Sequence, residues 1–167
     1  MKKLSVNIAE VADLMEMNDH EDEYYLDLQN GEPVVIPREL LREGWKDDDD
    51  MLDLPEWEKE LRPIAEAITA GSNRYVPIPD VPSWDAYEDL VQFAETVTDP
   101  KLREFLAIAL DGKGAFRRFR SVLDRNENEL KRWYAFKDEA MVRRVREWLN
   151  GIGIEPIQEG ADAVAPK

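Results

Sequence analysis

The chain contains no cysteine, a single histidine (His20) and no apolar run approaching the ~18 residues that a membrane-spanning helix needs. Without cysteine there are no disulfides, no thiolate metal sites and no cysteine nucleophile. The same absence fits a reducing compartment. Lys2 and Lys3 ahead of apolar residues resemble the start of a signal peptide. Asn7, Glu10 and Asp13 interrupt that run, and no small-residue cleavage site follows it. The sequence therefore reads as a soluble cytoplasmic protein. His20 sits among Asp19, Glu21 and Asp22, which favour its protonated form, and no nucleophile lies close to it in sequence. It reads as an exposed loop residue. Ser5, Ser72, Ser83 and Ser121 are each explained by caps or turns, and none lies in a Gly-x-Ser-x-Gly elbow. The carboxylates are too numerous for any catalytic pair to stand out.

What is present is acid and enough apolar residue for a core. Of 167 residues, 43% are hydrophobic, and the net charge is −15. The charge is unevenly spread. Residues 1–100 hold 8 Lys and Arg against 26 Asp and Glu, a net −18, whereas residues 101–150 hold 13 against 8, a net +5. The bulk charge opposes non-specific nucleic-acid binding, while the basic segment leaves a local site open. The Asp47–Asp50 run reads as a solvated loop, since it lacks the alternating ligands, glycine and distal glutamate of a calcium loop.

The spacing predicts a helix capped by Ser5 and carrying Ile8, Val11, Ala12, Leu14 and Met15. Asn18–Glu23 reads as a loop. Alternation over Tyr24–Leu28, then Asn30-Gly31, then Pro33–Ile36 predicts a β-hairpin with a tight turn. Pro55-Glu56-Trp57 opens a helix toward Ala70 that Pro63 should kink or divide, with Gly71 as its stop. Arg74–Pro79 reads as a third strand, proline-rich and hence at an edge. From Ser83, read as a cap, the chain reads as helical. Asp99-Pro100 opens a second helix of this part, bearing Leu102, Phe105, Leu106, Ala109 and Leu110. Gly112–Gly114 breaks it, a third helix holds Phe116, Phe119, Val122 and Leu123, and the longest runs from about Asn128 to Leu149. The expected fold is a single α+β domain over residues 1–155, with a mobile tail over 156–167. It has a small antiparallel sheet (the hairpin plus one further strand), four or more helices and an all-helical C-terminal half.

One segment carries candidate chemistry. In Gly112–Arg120 two glycines lead into a helix whose first N–H groups are free, and Lys113, Arg117, Arg118 and Arg120 stand close by. These are the elements of an anion site. The spacing is not that of a Walker loop. Architecture explains the segment too: glycines for the turn, Phe116 and Phe119 packed inward, arginines paired with the acidic part. Arg132–Phe136 offers an arginine and aromatics that could stack bases, but Trp133 and Phe136 at i, i+3 fit a buried helix face better.

The order YYLD, NGE, VIP, RYVPIP and a Ser-Trp-x-x-Tyr helix, followed by GKGAFRRF at Gly112–Phe119 and RWYAF at Arg132–Phe136, resembles uncharacterised protein family 0158. This is a bacterial and plant family without a known function. The resemblance covers Tyr24 to Ile154. It implies an α+β domain and assigns no reaction, cofactor or active site.

The sequence thus reads as a non-enzymatic binding or regulatory module, a monomer or weak dimer with no cofactor and no metal. It would recognise an acidic partner or phosphate-bearing ligand through Gly112, Lys113, Gly114, Arg117, Arg118, Arg120 and Arg132. Two alternatives stand beside this: an enzyme acting on a phosphorylated small molecule or nucleic acid, and a nucleic-acid-binding protein.

Overall fold

The computed structural model describes residues 1–17, 21–41 and 55–157. His20, the Asp47–Asp50 run and the tail from residue 158 lie outside the described residues. The fold is α+β. Its contacts fall into two compact units, Met1–Asp80 with Arg146–Lys167, and Val81–Val145.

The first unit contains β1 (Lys2–Ser5), α1 (Ile8–Glu16), β2 (Asp22–Asp27), β3 (Pro33–Pro37), a 3-10 turn (Arg38–Leu41), α2 (Glu56–Thr69), β4 (Tyr75–Pro77) and β5 (Ile154–Ile157). The hairpin and one further strand form a three-stranded antiparallel sheet in the order β3-β2-β4. In β3, ladder alternation leaves Pro33, Val35 and Pro37 facing away from β2, and in β4 it leaves Tyr75 and Pro77. Proline has no N–H, so each edge offers an incoming strand almost no donors.

The hairpin loop differs from a two-residue Asn-Gly turn. The Asp27 N–H donates to the Glu32 carbonyl, enclosing four residues, and only Gly31 has a positive φ, at 77°. The Asp27 carboxylate shapes the loop by accepting the Gln29 N–H at 2.9 Å. A Cβ on Gly31 would lie 1.9 Å from the Ser5 carbonyl oxygen, so glycine is required by close approach as well as by φ.

Besides this sheet, β1 and β5 form a parallel pair with Lys2 opposite Ile154 and Ser5 opposite Ile157. Ser5 is thus a strand residue. The cap of α1 is Asn7, whose Oδ1 accepts the Glu10 N–H at 3.1 Å. Pro156 and Ile157 lie within β5 rather than in a tail. Four-residue strands are too short to show a period, and their pairing is non-local, so neither is visible along the chain. Helix α2 runs through Pro63 unbroken. The proline forfeits one main-chain bond, and a mid-helix proline costs about 3 kcal/mol. Packing offsets that cost: Leu61, Ile64, Ala65 and Ile68 lie against Tyr25, Ile36, Leu40 and Tyr75.

The second unit is helical: α3 (Ser83–Thr96), α4 (Pro100–Ala109), α5 (Ala115–Leu123) and most of α6 (Glu127–Gly151). Pro82, not Ser83, occupies the cap position of α3, whereas Asp99 caps α4 as its sequence signature requires. The core joins Leu90, Phe93, Leu102, Leu106, Phe119, Leu123 and Trp133. Phe93 meets Phe119, Trp133 and Phe136 edge-on, with centroids 6.1, 5.4 and 5.6 Å away. Asp89, buried on α3, accepts a hydrogen bond of 2.7 Å from each terminal guanidinium nitrogen of Arg144. Two aromatic residues depart from the inward packing expected of them: Phe105 and Phe116 are 49% and 48% exposed. Among the described residues, no helix is long and apolar enough to cross a membrane.

Candidate basic site on the second helical unit

Helix α4 ends at Ala109, where the Leu110 N–H closes the last turn onto the Leu106 and Ile108 carbonyls and the Ala109 carbonyl points to a side-chain donor. Gly112 and Gly114, with φ of 80° and 79°, turn the chain into α5. One turn into α5, the guanidinium of Arg118 folds back over that turn. Its Nε donates to the Ala109 carbonyl at 3.1 Å, Nη1 to the Lys113 carbonyl, and Nη2 to the Asp111 carbonyl. Arg118 therefore closes the α4–α5 junction while its positive charge stays unmatched by any carboxylate among the described residues. Gly114 leaves room for it, since a Cβ there would stand 3.0 Å from Nη1.

The other residues singled out in the sequence separate by partner. Arg120 bonds Asp124 at 3.1 Å and lies 5.3 Å above the Tyr134 ring. The hydrogen bond to Asp124 is the main reason its pKa is raised further above the usual arginine value. Arg132 is held by Glu129 through two bonds of 3.1 and 2.8 Å and by the Thr96 hydroxyl at 2.7 Å, and it stacks on Phe93. Trp133 is buried, as its i, i+3 pairing with Phe136 predicts. Lys113 and Arg117 are exposed, and neither has a carboxylate partner among the described residues. The carboxylate partners of Arg120 and Arg132 thus lie one turn away in sequence, while Tyr134, Thr96 and Phe93 come from other helices.

The structure adds a feature the sequence did not disclose. Between α4 and α5 lies a groove of about 480 Å³. Leu102, Phe105, Ile108 and Val122 give it an apolar floor, and Lys101, Arg118 and Arg125 stand at its rim, with Asp99, Ser121 and Asn126 beside them. The Asp99 carboxylate is engaged as a cap, accepting the Lys101 N–H at 3.1 Å. Like Arg118, Lys101 and Arg125 face no carboxylate partner among the described residues. The buried stripe of α4 is Leu102, Leu106 and Ala109, so Phe105 and Ile108 stand outside it. Apolar residues beyond the width one buried stripe needs were the available signal.

The family model described as Uncharacterised protein family (UPF0158) matches residues 1–165. No curated protein and no solved structure matches the chain.

Proposed function

The chain belongs to the uncharacterised protein family UPF0158, and we propose that it is a non-enzymatic binding module that recognises an acidic partner through the cations of α4, α5 and the turn between them. One observation carries this reading. Lys101, Lys113, Arg117, Arg118 and Arg125 have no carboxylate partner among the described residues, although the chain holds 37 acids against 22 bases. Carboxylates one turn away neutralise Arg120 and Arg132, whereas these five cations have none among the described residues. Cations left unmatched in that setting are available to an external anion. Within Gly112–Arg120, the roles divide: the glycines and Arg118 build the turn, and Lys113 and Arg117 present charge.

The reading places the protein in the cytoplasm, as a monomer or weak dimer. A phosphate-bearing ligand would use the same cations. A long nucleic acid fits less well, because the remaining acid repels an extended polyanion.

The test is titration with polyglutamate and, separately, with a phosphopeptide and a single-stranded oligonucleotide. Expected is salt-sensitive binding of polyglutamate that the triple variant Lys101→Glu, Arg117→Glu, Arg125→Glu loses, with its melting temperature kept because all three side chains are exposed. Binding that survives the triple charge reversal would overturn the proposal. Tighter binding of the oligonucleotide would replace it with nucleic-acid recognition.

A further inference from the structure

We infer that the α4–α5 groove takes an amphipathic acidic segment of a partner protein, apolar side chains on its floor and carboxylates at its ends. This inference rests on the basic-module reading above and names what that module recognises.

The geometry of the groove sets the pattern. Arg118 lies at the end beside the turn, tied to the Ala109 carbonyl. Lys101 begins α4 and Arg125 follows α5, so both stand at the end remote from that turn. At ~1.5 Å per helical residue, Lys101 and Ala109 are separated by about 12 Å along α4. Cations therefore bracket an apolar floor at two ends. A bound segment satisfies both ends when two carboxylates are spaced by about two helical turns, or by about four residues of extended chain, with apolar residues between them.

Charge complementarity selects this occupant over others. The floor residues Phe105 and Ile108 are 49% and 63% exposed. A small-molecule site would enclose most of its ligand, whereas a groove this open suits a segment lying along it. Phosphate alone has no use for the floor, and a nucleic-acid backbone would meet apolar side chains where it needs donors. An apolar partner without acid would leave three cations unmatched at the rim. A segment that is both acidic and apolar matches both.

The experiment uses the full chain and two labelled synthetic peptides, read by fluorescence anisotropy. One alternates leucine and glutamate at helical spacing. The other has the same glutamates with serine replacing leucine. The expected result is at least about tenfold tighter binding of the leucine peptide. That preference should vanish in Ile108→Asp, a variant expected to fold normally because Ile108 is exposed, and should persist in Lys113→Glu/Arg117→Glu. Phe105→Ser serves as a second groove variant should Ile108→Asp fold poorly. Equal binding of both peptides, weakened by Lys113→Glu/Arg117→Glu, overturns the groove inference and leaves the basic module standing. No binding of either peptide or of polyglutamate overturns both. Concentration-dependent self-association that Ile108→Asp abolishes would make a second copy the occupant and also overturn it.

Discussion

Asp27 shows how much a single buried carboxylate organises. It lies in β2, receives two Arg74 bonds of 2.8 Å each, and also accepts the Gln29 N–H. The Arg74 hydrogen bonds hold its pKa below the usual aspartate value, against the opposing pull of burial. On the next strand position but one, Tyr25 behaves oppositely. Burial, helped by the hydrogen bond to Glu23, pushes its phenol up to about 12. The signs give a pH window. Asp27 contributes stability that is complete above its unfolded pKa of about 3.9 and is lost as pH falls through its lowered native value. Tyr25 contributes stability that is complete below its unfolded pKa of about 10 and is lost as pH rises toward 12. Urea midpoints measured across pH should therefore fall at both limits. Arg74→Met should flatten the acid limb and leave the alkaline one unchanged; an acid limb identical to that of the unaltered protein would remove Asp27 from the account.

At the scale of elements, the α4–α5 turn shows why a basic motif is not automatically a binding motif. Arg118 is spent on the last carbonyl of α4 and on two carbonyls of the turn, so its removal should act on stability first. Arg118→Met is expected to cost about 1–2 kcal/mol, since bonds from a charged donor are strong but this one is partly screened by solvent. Arg117→Met, one residue earlier and unpartnered, should leave the melting temperature unchanged. Thermal melts of the two variants decide the matter, and equal effects would refute the division of roles. Local signals served well for other elements. Asp99-Pro100 marks the start of α4, and Gly71, with φ of 83°, the end of α2. The sheet edges follow the prolines. Signals failed where one residue type can serve two ends: Ser5 and Ser83 resemble caps, yet the cap position of each following helix is filled by Asn7 and Pro82.

For the whole molecule, the charge divides with the units. Residues 81–145 hold 12 basic and 12 acidic residues, so the net −15 belongs entirely to the first unit with its C-terminal return. The positive field that would attract a partner is thus local to α4, α5 and their turn, while the chain as a whole stays strongly anionic at neutral pH. With a sequence pI near 4.5, mutual repulsion should vanish there. Light scattering across pH should show greatest association near pH 4.5 and little at neutrality. Strong association at neutrality instead would mean that attraction between opposite charges on different copies outweighs the net repulsion.

Much of this was determined by the sequence alone. Periodicity and turn residues specified an α+β chain with a hairpin, a third strand and a helical C-terminal half, because those signals act over a few neighbouring residues. The motif resemblance specified the family. Only the tertiary structure decided the rest. It paired β1 with β5 across nearly the full length of the chain, carried α2 through Pro63, turned Phe105 and Ile108 outward, and set Lys101 and Arg125 beside one apolar floor. It also distributed the arginines of one short stretch among carbonyls, carboxylates and open surface. The physical reason is common to all of these: each depends on which distant residue comes to lie opposite, and that is a property of packing, not of local spacing.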